Sequence, residues 1–179
     1  MLKDELLPRH VIVLIPSLNG GGAERVILTL VRHLDRSQFT ITLVVVDGRD
    51  SAYLSDVPSD VEFIDLKCSR LRYALPRLFF LIWKRKPDVV FSTLGYLNLA
   101  LAVLRTFLPA TPRYVAREAT MVSQSIQAKG KPGFWRWMYR RFYSKHDLVV
   151  CQSMAMRDDL VTHFQFPIAQ TMIVHNPVD

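Results

Sequence analysis

The sequence predicts an α/β protein with a doubly wound, mainly parallel β-sheet that carries helices on both faces. Short apolar strands alternate with segments of helical period along the 179 residues. Several strands are continuous runs of Val, Ile and Leu, as in parallel sheets that are buried on both faces. The first strand also runs directly into a glycine-rich turn and a helix, which is how a ligand-binding βαβ unit opens.

Each element follows from its local pattern. The first strand is the apolar run before Pro16, and the first helix follows because Val26, Ile27, Leu30 and Val31 recur at helical spacing. The predicted strands are residues 11–15, 41–46, 61–66, 89–92, 113–117, 147–150 and 171–174. The predicted helices are residues 22–34, 71–84, 96–107, 133–143 and 154–162.

Strands interleaved with helices indicate right-handed βαβ units, so we expect a strand order of the 3-2-1-4-5 type. Ligands of such sheets bind at the carboxyl ends of the strands. The glycine-rich turn, Asp47, residues 93–95 and residues 117–120 all fall at such ends. The functional site is therefore expected at this edge.

The composition favours an acidic partner and a reducing compartment. The net charge of +7 suits nucleic acid, an anionic bilayer or a phosphorylated substrate, although such a charge also serves solubility alone. Cys68 and Cys151 are far apart and form neither a disulfide framework nor a zinc motif. No apolar segment approaches the roughly 20 residues that span a bilayer. We expect a cytoplasmic protein, peripheral on the membrane at most, without metal or cofactor.

Three consecutive glycines, Gly20, Gly21 and Gly22, lie between the first strand and the first helix. Backbone N–H groups and the positive end of a helix dipole meet there, which favours an anion such as a phosphate. Glycines also let a ligand approach the main chain without meeting a Cβ atom. Arg25, in the first turn of the helix, is either solvated or close to that phosphate. A tight turn without a ligand is the alternative.

A dinucleotide site is a weaker interpretation of the same turn. Its G-x-G-x-x-G pattern is incomplete, because Arg25 occupies the position of the third glycine. Asp47 does stand at the end of the second strand, where a ribose-binding acid belongs. A P-loop is excluded, since no Gly-Lys-Ser/Thr follows the glycines.

Residues at two further strand ends are candidates for contacting a substrate. They are Thr93, Gly95, Arg117, Glu118 and Thr120. Glu118 is also a candidate catalytic group or a structural carboxylate, and the adjacent Arg117 is expected to favour its ionised form. The five histidines form no ligand pattern, and most are expected at the surface.

Two basic-aromatic segments are candidates for contacting an anionic membrane. The residues concerned are Lys84, Arg85, Lys86, Trp135, Arg136, Trp137, Arg140 and Arg141. Trp, Tyr and Arg are favoured at a bilayer interface, and part of the aromatic set is expected to pack on the sheet. The aliphatic residues in the first segment favour a bilayer over RNA, so nucleic acid is not expected as a partner.

Three segments together resemble the family 4 retaining glycosyltransferases. Residues 15–26 (IPSLNGGGAERV) resemble the opening of that family, and residues 153–160 (SMAMRDDL) resemble its segment after the sixth strand. Residues 174–179 (VHNPVD) resemble its crossover into a second domain. The three occur in the family's order and span nearly the whole chain.

The resemblance implies one Rossmann-like half of a GT-B enzyme. Residues 1–175 would form the acceptor-binding domain, and residues 176–179 would begin the linker to an absent donor-binding domain. Gly20 to Gly22 would approach the diphosphate of a nucleotide-sugar, which is a substrate rather than a cofactor. Glu118 and its neighbours would lie near the sugar and acceptor, although the family's His is absent there, so Thr93, Gly95, Arg117, Glu118 and Thr120 are the acceptor-side candidates. The family's acidic pair and phosphate-clamping residues lie in the second domain, so the chain alone is expected to be inactive.

Three hypotheses follow. The first is the amino-terminal domain of a retaining glycosyltransferase that uses a lipid-linked or saccharide acceptor in surface polysaccharide or glycan synthesis. The second is a non-catalytic module that binds an anionic ligand or a membrane surface. The third is a dinucleotide-binding domain.

Overall fold

A seven-stranded, all-parallel sheet forms the centre of the protein in a computed structural model that describes residues 7–176. The strands are β1 (Arg9–Ile15), β2 (Phe39–Val45), β3 (Glu62–Asp65), β4 (Val89–Thr93), β5 (Arg113–Arg117), β6 (Leu148–Cys151) and β7 (Thr171–Ile173). Their order is β3-β2-β1-β4-β5-β6-β7. The predicted strands, the doubly wound class and the 3-2-1-4-5 order are all confirmed.

Within residues 7–176, six α-helices connect the strands. They are α1 (Gly22–His33), α2 (Leu71–Arg85), α3 (Gly95–Leu104), α4 (Val122–Gln127), α5 (Pro132–Phe142) and α6 (Met154–Phe164). Five agree with the predicted helices, except that residues 105–107 of the third form a separate 3-10 turn. Helix α4 was not predicted, because its six residues are too short to show an apolar period.

The two faces of the sheet are covered unequally. On one face, β1 packs its Ile12 and Leu14 under α2 and α3, and β5 and β6 pack Ala116 and Val149 under the helices that follow α3. On the opposite face, α1 covers β1 and β2 through Ile27, among others. Helices are therefore present on both faces as expected, but five of the six lie on one face.

The half-sheet β4–β7 lacks a helix of its own on the α1 face, within residues 7–176. The register places Phe91 beside Val13, and Val115 beside Phe91, so both point to this face. Met172 and Val174 at the far side are 51% and 48% exposed. Parallel sheets are normally covered on both faces, so this apolar half-face is an unusual feature.

Most of the histidines lie at the surface as expected, since His33, His163 and His175 are exposed, but His146 is an exception. Its side chain is fully buried, and its Nε2 pairs with the Asn98 carbonyl oxygen at 3.0 Å. Burial lowers the pKa of His146 to about 4. The imidazole is therefore neutral and belongs to the core beneath α3 rather than to a ligand site.

Candidate functional site

The glycine-rich turn joins the carboxyl end of β1 to the amino end of α1. Gly20 has a φ of +109°, which side-chain-bearing residues rarely adopt. Gly21 has an ordinary φ of −77° and precedes the first helical residue, Gly22. The backbone requirement for glycine therefore falls on Gly20.

An internal carboxylate occupies part of this turn. Oε2 of Glu24 accepts hydrogen bonds from the N–H groups of Gly20 and Gly21, both at 2.8 Å, and its Oε1 accepts one from the Ser17 hydroxyl at 2.6 Å. The expectation of unpaired N–H groups in the turn is therefore wrong for Gly20 and Gly21, because Glu24 folds back from the first turn of α1. An external anion is left with the N–H groups of Gly22 and Ala23 and with the positive end of the helix.

Within this turn, Gly22 is the glycine that neither backbone conformation nor packing inside the protein requires. A Cβ atom built there meets nothing within 4 Å, whereas one at Gly21 makes an ordinary 3.5 Å contact with the Glu24 carboxylate. The fold of the described residues therefore accepts a side chain at Gly22. A glycine at this position suits a ligand that approaches the main chain from outside.

The loop after β2 closes one side of the turn. The Tyr53 backbone N–H donates to the Leu18 carbonyl oxygen at 3.1 Å, and the Tyr53 hydroxyl donates to the Gly20 carbonyl oxygen at 3.4 Å. Arg25 is exposed beside this loop.

Asp47 is bound by Arg49, whose hydrogen bonds lower the pKa of Asp47 to about 2. The acid that a dinucleotide site would use for ribose is thus already paired.

The end of β4 is constrained by the helix layer above it. A Cβ atom at Gly95 would lie 2.8 Å from the Tyr139 hydroxyl and 3.1 Å from Oε2 of Glu118. The Tyr139 hydroxyl donates to the Gly95 carbonyl oxygen at 3.0 Å. Thr93 is buried and accepts a hydrogen bond from Arg117 at 3.3 Å. Gly95 is therefore required by packing, and Thr93 is turned away from an external ligand.

Glu118 lies inside the protein rather than facing the crevice. Its side chain is 1% exposed, and Oε1 accepts hydrogen bonds from the Tyr143 hydroxyl and from Nδ2 of Asn98. Burial raises the pKa of Glu118 to about 7, against these hydrogen bonds and the charges of Lys129 and Arg117. The charge of Arg117 does favour the ionised form of Glu118 as expected, but desolvation outweighs it and leaves the pKa above its ordinary value.

Arg117 points to the opposite face of the sheet from Glu118. Arg117 is 5% exposed, and its guanidinium donates to Oδ1 of Asn176 at 2.6 Å and to the Thr93 hydroxyl at 3.3 Å. Gln152, which sequence reasoning missed, links the Glu118 carbonyl oxygen to Nδ2 of Asn176 through its side-chain amide. These bonds gather the ends of β4, β5 and β6 around the last described residue. Thr120 is exposed at the same edge.

The predicted membrane residues separate into exposed and engaged groups. On α5, Trp137 is 55% exposed among the exposed Arg136, Arg140 and Arg141, whereas Trp135 is half-buried and donates to the Gly130 carbonyl oxygen. At the end of α2, Lys84, Arg85 and Lys86 are exposed, and Arg85 forms a two-point ion pair with Glu62. Phe80 and Trp83, which residue spacing did not single out, project from the same helix.

Two further findings concern residues 7–176. They gather no group of three or more His, Cys, Asp or Glu side chains that could hold a metal ion. Their helices include none that is both long and apolar enough to cross a bilayer. The predicted motif at residues 174–179 is described only as far as Asn176, and Pro177 to Asp179 lie outside the described residues.

Solved structures share this fold at low sequence identity. A glycosyltransferase from Rickettsia africae matches with a TM-score of 0.69 and 15% identity over 96% of this chain and 44% of its own. Anabaena HepE, solved with UDP, matches with a TM-score of 0.65 and 16% identity over 95% of this chain and 44% of its own. A UDP-GlcNAc 2-epimerase from Methanocaldococcus jannaschii matches with a TM-score of 0.66 and 11% identity over 93% of this chain and 45% of its own.

The chain spans less than half the length of each of these structures. Because they include both a transferase and an epimerase, the shared fold does not select an activity. No curated protein sequence matches the chain. The sequence profile described as Glycosyltransferase Family 4 matches residues 20–179, which include the glycine-rich turn and all the strand ends described above except that of β1. The chain therefore belongs to Glycosyltransferase Family 4.

Proposed function

We propose that the chain is the acceptor-side half of a retaining glycosyltransferase. It works with a nucleotide-sugar donor and a lipid-linked or saccharide acceptor in the synthesis of a surface polysaccharide or glycan. The donor-binding half follows the linker that starts at residue 176. The observation that carries this proposal is the open backbone at Gly22, at the amino end of a helix and the carboxyl edge of the sheet, in a chain of this family.

The described residues support a division of roles. The N–H groups of Gly22 and Ala23 and the α1 dipole suit the donor diphosphate, and HepE was solved with UDP and with UDP-glucose. The exposed Arg25 is close in sequence to the same end of α1. Thr120 and the Arg117 guanidinium suit the acceptor. Glu118 is enclosed by Tyr143 and Asn98, so we assign it to positioning the ends of β4 and β5 rather than to contacting the sugar.

The proposal is tested by comparing this chain with a longer protein in which the proposed donor-binding half follows it. Both are incubated with a panel of nucleotide-sugars and lipid-linked acceptors, and product is detected by mass spectrometry. The longer protein is expected to transfer sugar and the chain alone is not, because the donor contacts are divided between two halves. Turnover by the chain alone at the rate of the longer protein would contradict the two-half arrangement. Absence of transfer by both, with tight binding of NAD(P), would favour the dinucleotide-binding hypothesis.

We further propose that the protein acts at the cytoplasmic face of the membrane. Trp137 lies among three exposed arginines on α5, and α2 carries the exposed Phe80 and Trp83 beside Lys84. Helix α2 contains no acidic residue. Aromatic rings between basic residues suit the interface of an anionic bilayer. Arg85 and Trp135 contribute less to such a contact, because Glu62 and the core engage them.

Replacing Arg136, Arg140 and Arg141 together by Gln is expected to weaken binding to anionic vesicles about 100-fold at low salt. Each basic residue near an anionic surface contributes on the order of 1 kcal/mol. Vesicle flotation at low and high salt measures the effect, and salt should weaken the wild-type attraction. The matched control replaces the exposed Arg9, Lys67 and Arg113, which lie outside α2 and α5. Equal losses in both triple variants would show that only net charge matters.

A further inference from the structure

The side chain of Asn176, the last described residue, is held by two side chains at the edge of the sheet. Its Oδ1 accepts a hydrogen bond from the Arg117 guanidinium at 2.6 Å, and its Nδ2 donates to Oε1 of Gln152 at 2.9 Å. Arg117 ends β5, and Gln152 directly follows the neighbouring strand β6. Both polar atoms of the Asn176 amide are therefore bound, one from each strand end. We call these three residues the linker clamp.

The two partners of Asn176 are themselves fixed by the strand ends around them. Nε2 of Gln152 donates to the Glu118 carbonyl oxygen at 3.0 Å, and the Arg117 guanidinium donates to the Thr93 hydroxyl at 3.3 Å. Arg117 is buried, so loss of the Asn176 oxygen would remove an acceptor from a buried donor, which is costly. The linker clamp therefore holds Asn176 to the ends of β4, β5 and β6 together.

Backbone pairing of the described residues ends just before the linker clamp. After β7, the Val174 N–H donates to the Cys151 carbonyl oxygen at 2.9 Å. His175 is then bound through its side chain, whose Nδ1 pairs with the Gln152 carbonyl oxygen at 2.9 Å. The sequence continues with Pro177, which has no N–H with which to extend a ladder. Side chains, rather than the backbone ladder, therefore set where the chain leaves the sheet.

We propose that Asn176 is a positioning residue, which through the linker clamp fixes the orientation of the donor-binding half relative to this chain. The proposal rests on the proposed function, which places that half after the linker that starts at residue 176. A residue bound on both sides of its amide bends less than a free one, so the clamp confines flexing between the halves to the residues after it. The clamp also ties the linker to the strand ends of the candidate site.

The test measures the distance between the two halves in the longer protein by electron spin resonance. Cys68 and Cys151 are buried, so one spin label can be attached to a cysteine introduced at the exposed Thr162 on α6. The second label is placed on the surface of the donor-binding half. Asn176→Ala removes both bonds of its amide and is expected to broaden the distance distribution. The transfer rate is expected to fall about tenfold, because fewer molecules hold the two halves in the productive orientation.

Three further variants make the result specific. Gln152→Ala should broaden the distribution similarly, and combining it with Asn176→Ala should add little, since both act in one clamp. Asn176→Asp should restore a narrow distribution and most of the rate, because a carboxylate keeps the oxygen that Arg117 binds and adds an opposite charge. The matched control is Thr171→Ala, which removes a hydrogen bond to the Ile168 carbonyl oxygen at the other end of β7 and should change neither measurement.

Two outcomes would overturn the assignment. The first is a folded Asn176→Ala variant with the wild-type distance distribution and rate. The second is a lower rate with an unchanged distribution, which would mean that Asn176 acts through Arg117 on the substrate rather than on the linker. Both leave sugar transfer by the wild-type longer protein intact. Failure of the proposed function would instead abolish transfer by the wild type, while the distance measurement would still test the linker clamp.

Discussion

Replacing Gly22 by valine is expected to lower sugar transfer by the longer protein more than tenfold while its melting temperature stays close to that of the wild type. A Cβ atom at Gly22 meets nothing within 4 Å, so the fold has room for the side chain. Any loss must then come from a ligand that approaches the main chain, whose diphosphate a branched side chain would crowd. A tenfold loss corresponds to about 1.4 kcal/mol of transition-state stabilisation.

Two control variants make this result specific. Gly133→Val introduces the same side chain near the amino end of α5, where a Cβ atom also meets nothing within 4 Å, and should leave the rate unchanged. Gly20→Val should instead lower the melting temperature, because the φ of +109° at Gly20 is strained for valine. Wild-type rates in a folded Gly22→Val variant would show that the turn has no ligand at this point.

Replacing Glu118 by glutamine is expected to stabilise the protein increasingly as the pH rises. Burial raises the pKa of the carboxyl from its ordinary 4.5 to about 7. The folded state therefore binds this proton more tightly than the unfolded state does. The contribution of the protonated carboxyl to the free energy of unfolding is fully present below pH 4.5 and is lost as the pH rises through 7. A shift of this size corresponds to about 3 kcal/mol. Glutamine does not ionise, and its carbonyl oxygen can still accept from Tyr143 and Asn98.

The measurement is urea unfolding of the wild type and Glu118→Gln from pH 5 to pH 8.5. The difference in free energy of unfolding should rise in favour of the variant by up to about 3 kcal/mol. Glu62→Gln provides a control, because its difference in free energy of unfolding from the wild type should change with pH in the opposite direction. Burial alone would raise the pKa of Glu62, but hydrogen bonds from Thr42 and Arg85 hold it below its ordinary value. A pH-independent difference between Glu118→Gln and the wild type would mean that Glu118 is hydrated and ionised.

If Glu118 acts by positioning, the same variant should keep most of the transfer activity. The carboxyl touches Tyr143 and Asn98 and lies under Gly95, so a neutral amide of the same shape preserves these contacts. A loss of activity with an unchanged KM and a normal melting temperature would instead point to a group that acts on the substrate.

The strands and the position of the site were predictable from local patterns. Continuous runs of Val, Ile and Leu, such as residues 11–15, are long enough to predict buried parallel strands. The carboxyl ends of those strands then predict where Gly22, Gly95 and Arg117 gather. Helix α4 was not predicted because its six residues are too few to show a helical repeat of apolar residues. The sequence also did not indicate that Glu24 accepts hydrogen bonds from the N–H groups of the glycine-rich turn.

By itself, the sequence determined that this protein is a parallel α/β fold with a glycine-rich turn at its binding edge, because apolar period and glycine content are local properties. Only the tertiary structure decided what the polar residues at that edge do. Arg117 and Glu118 are neighbours in the chain, yet strand geometry directs Arg117 to the α1 face of the sheet and Glu118 into the helix layer on the other face. Their charge states depend on what surrounds each face, and residues distant in sequence, such as Asn98, Tyr143 and Asn176, supply those surroundings.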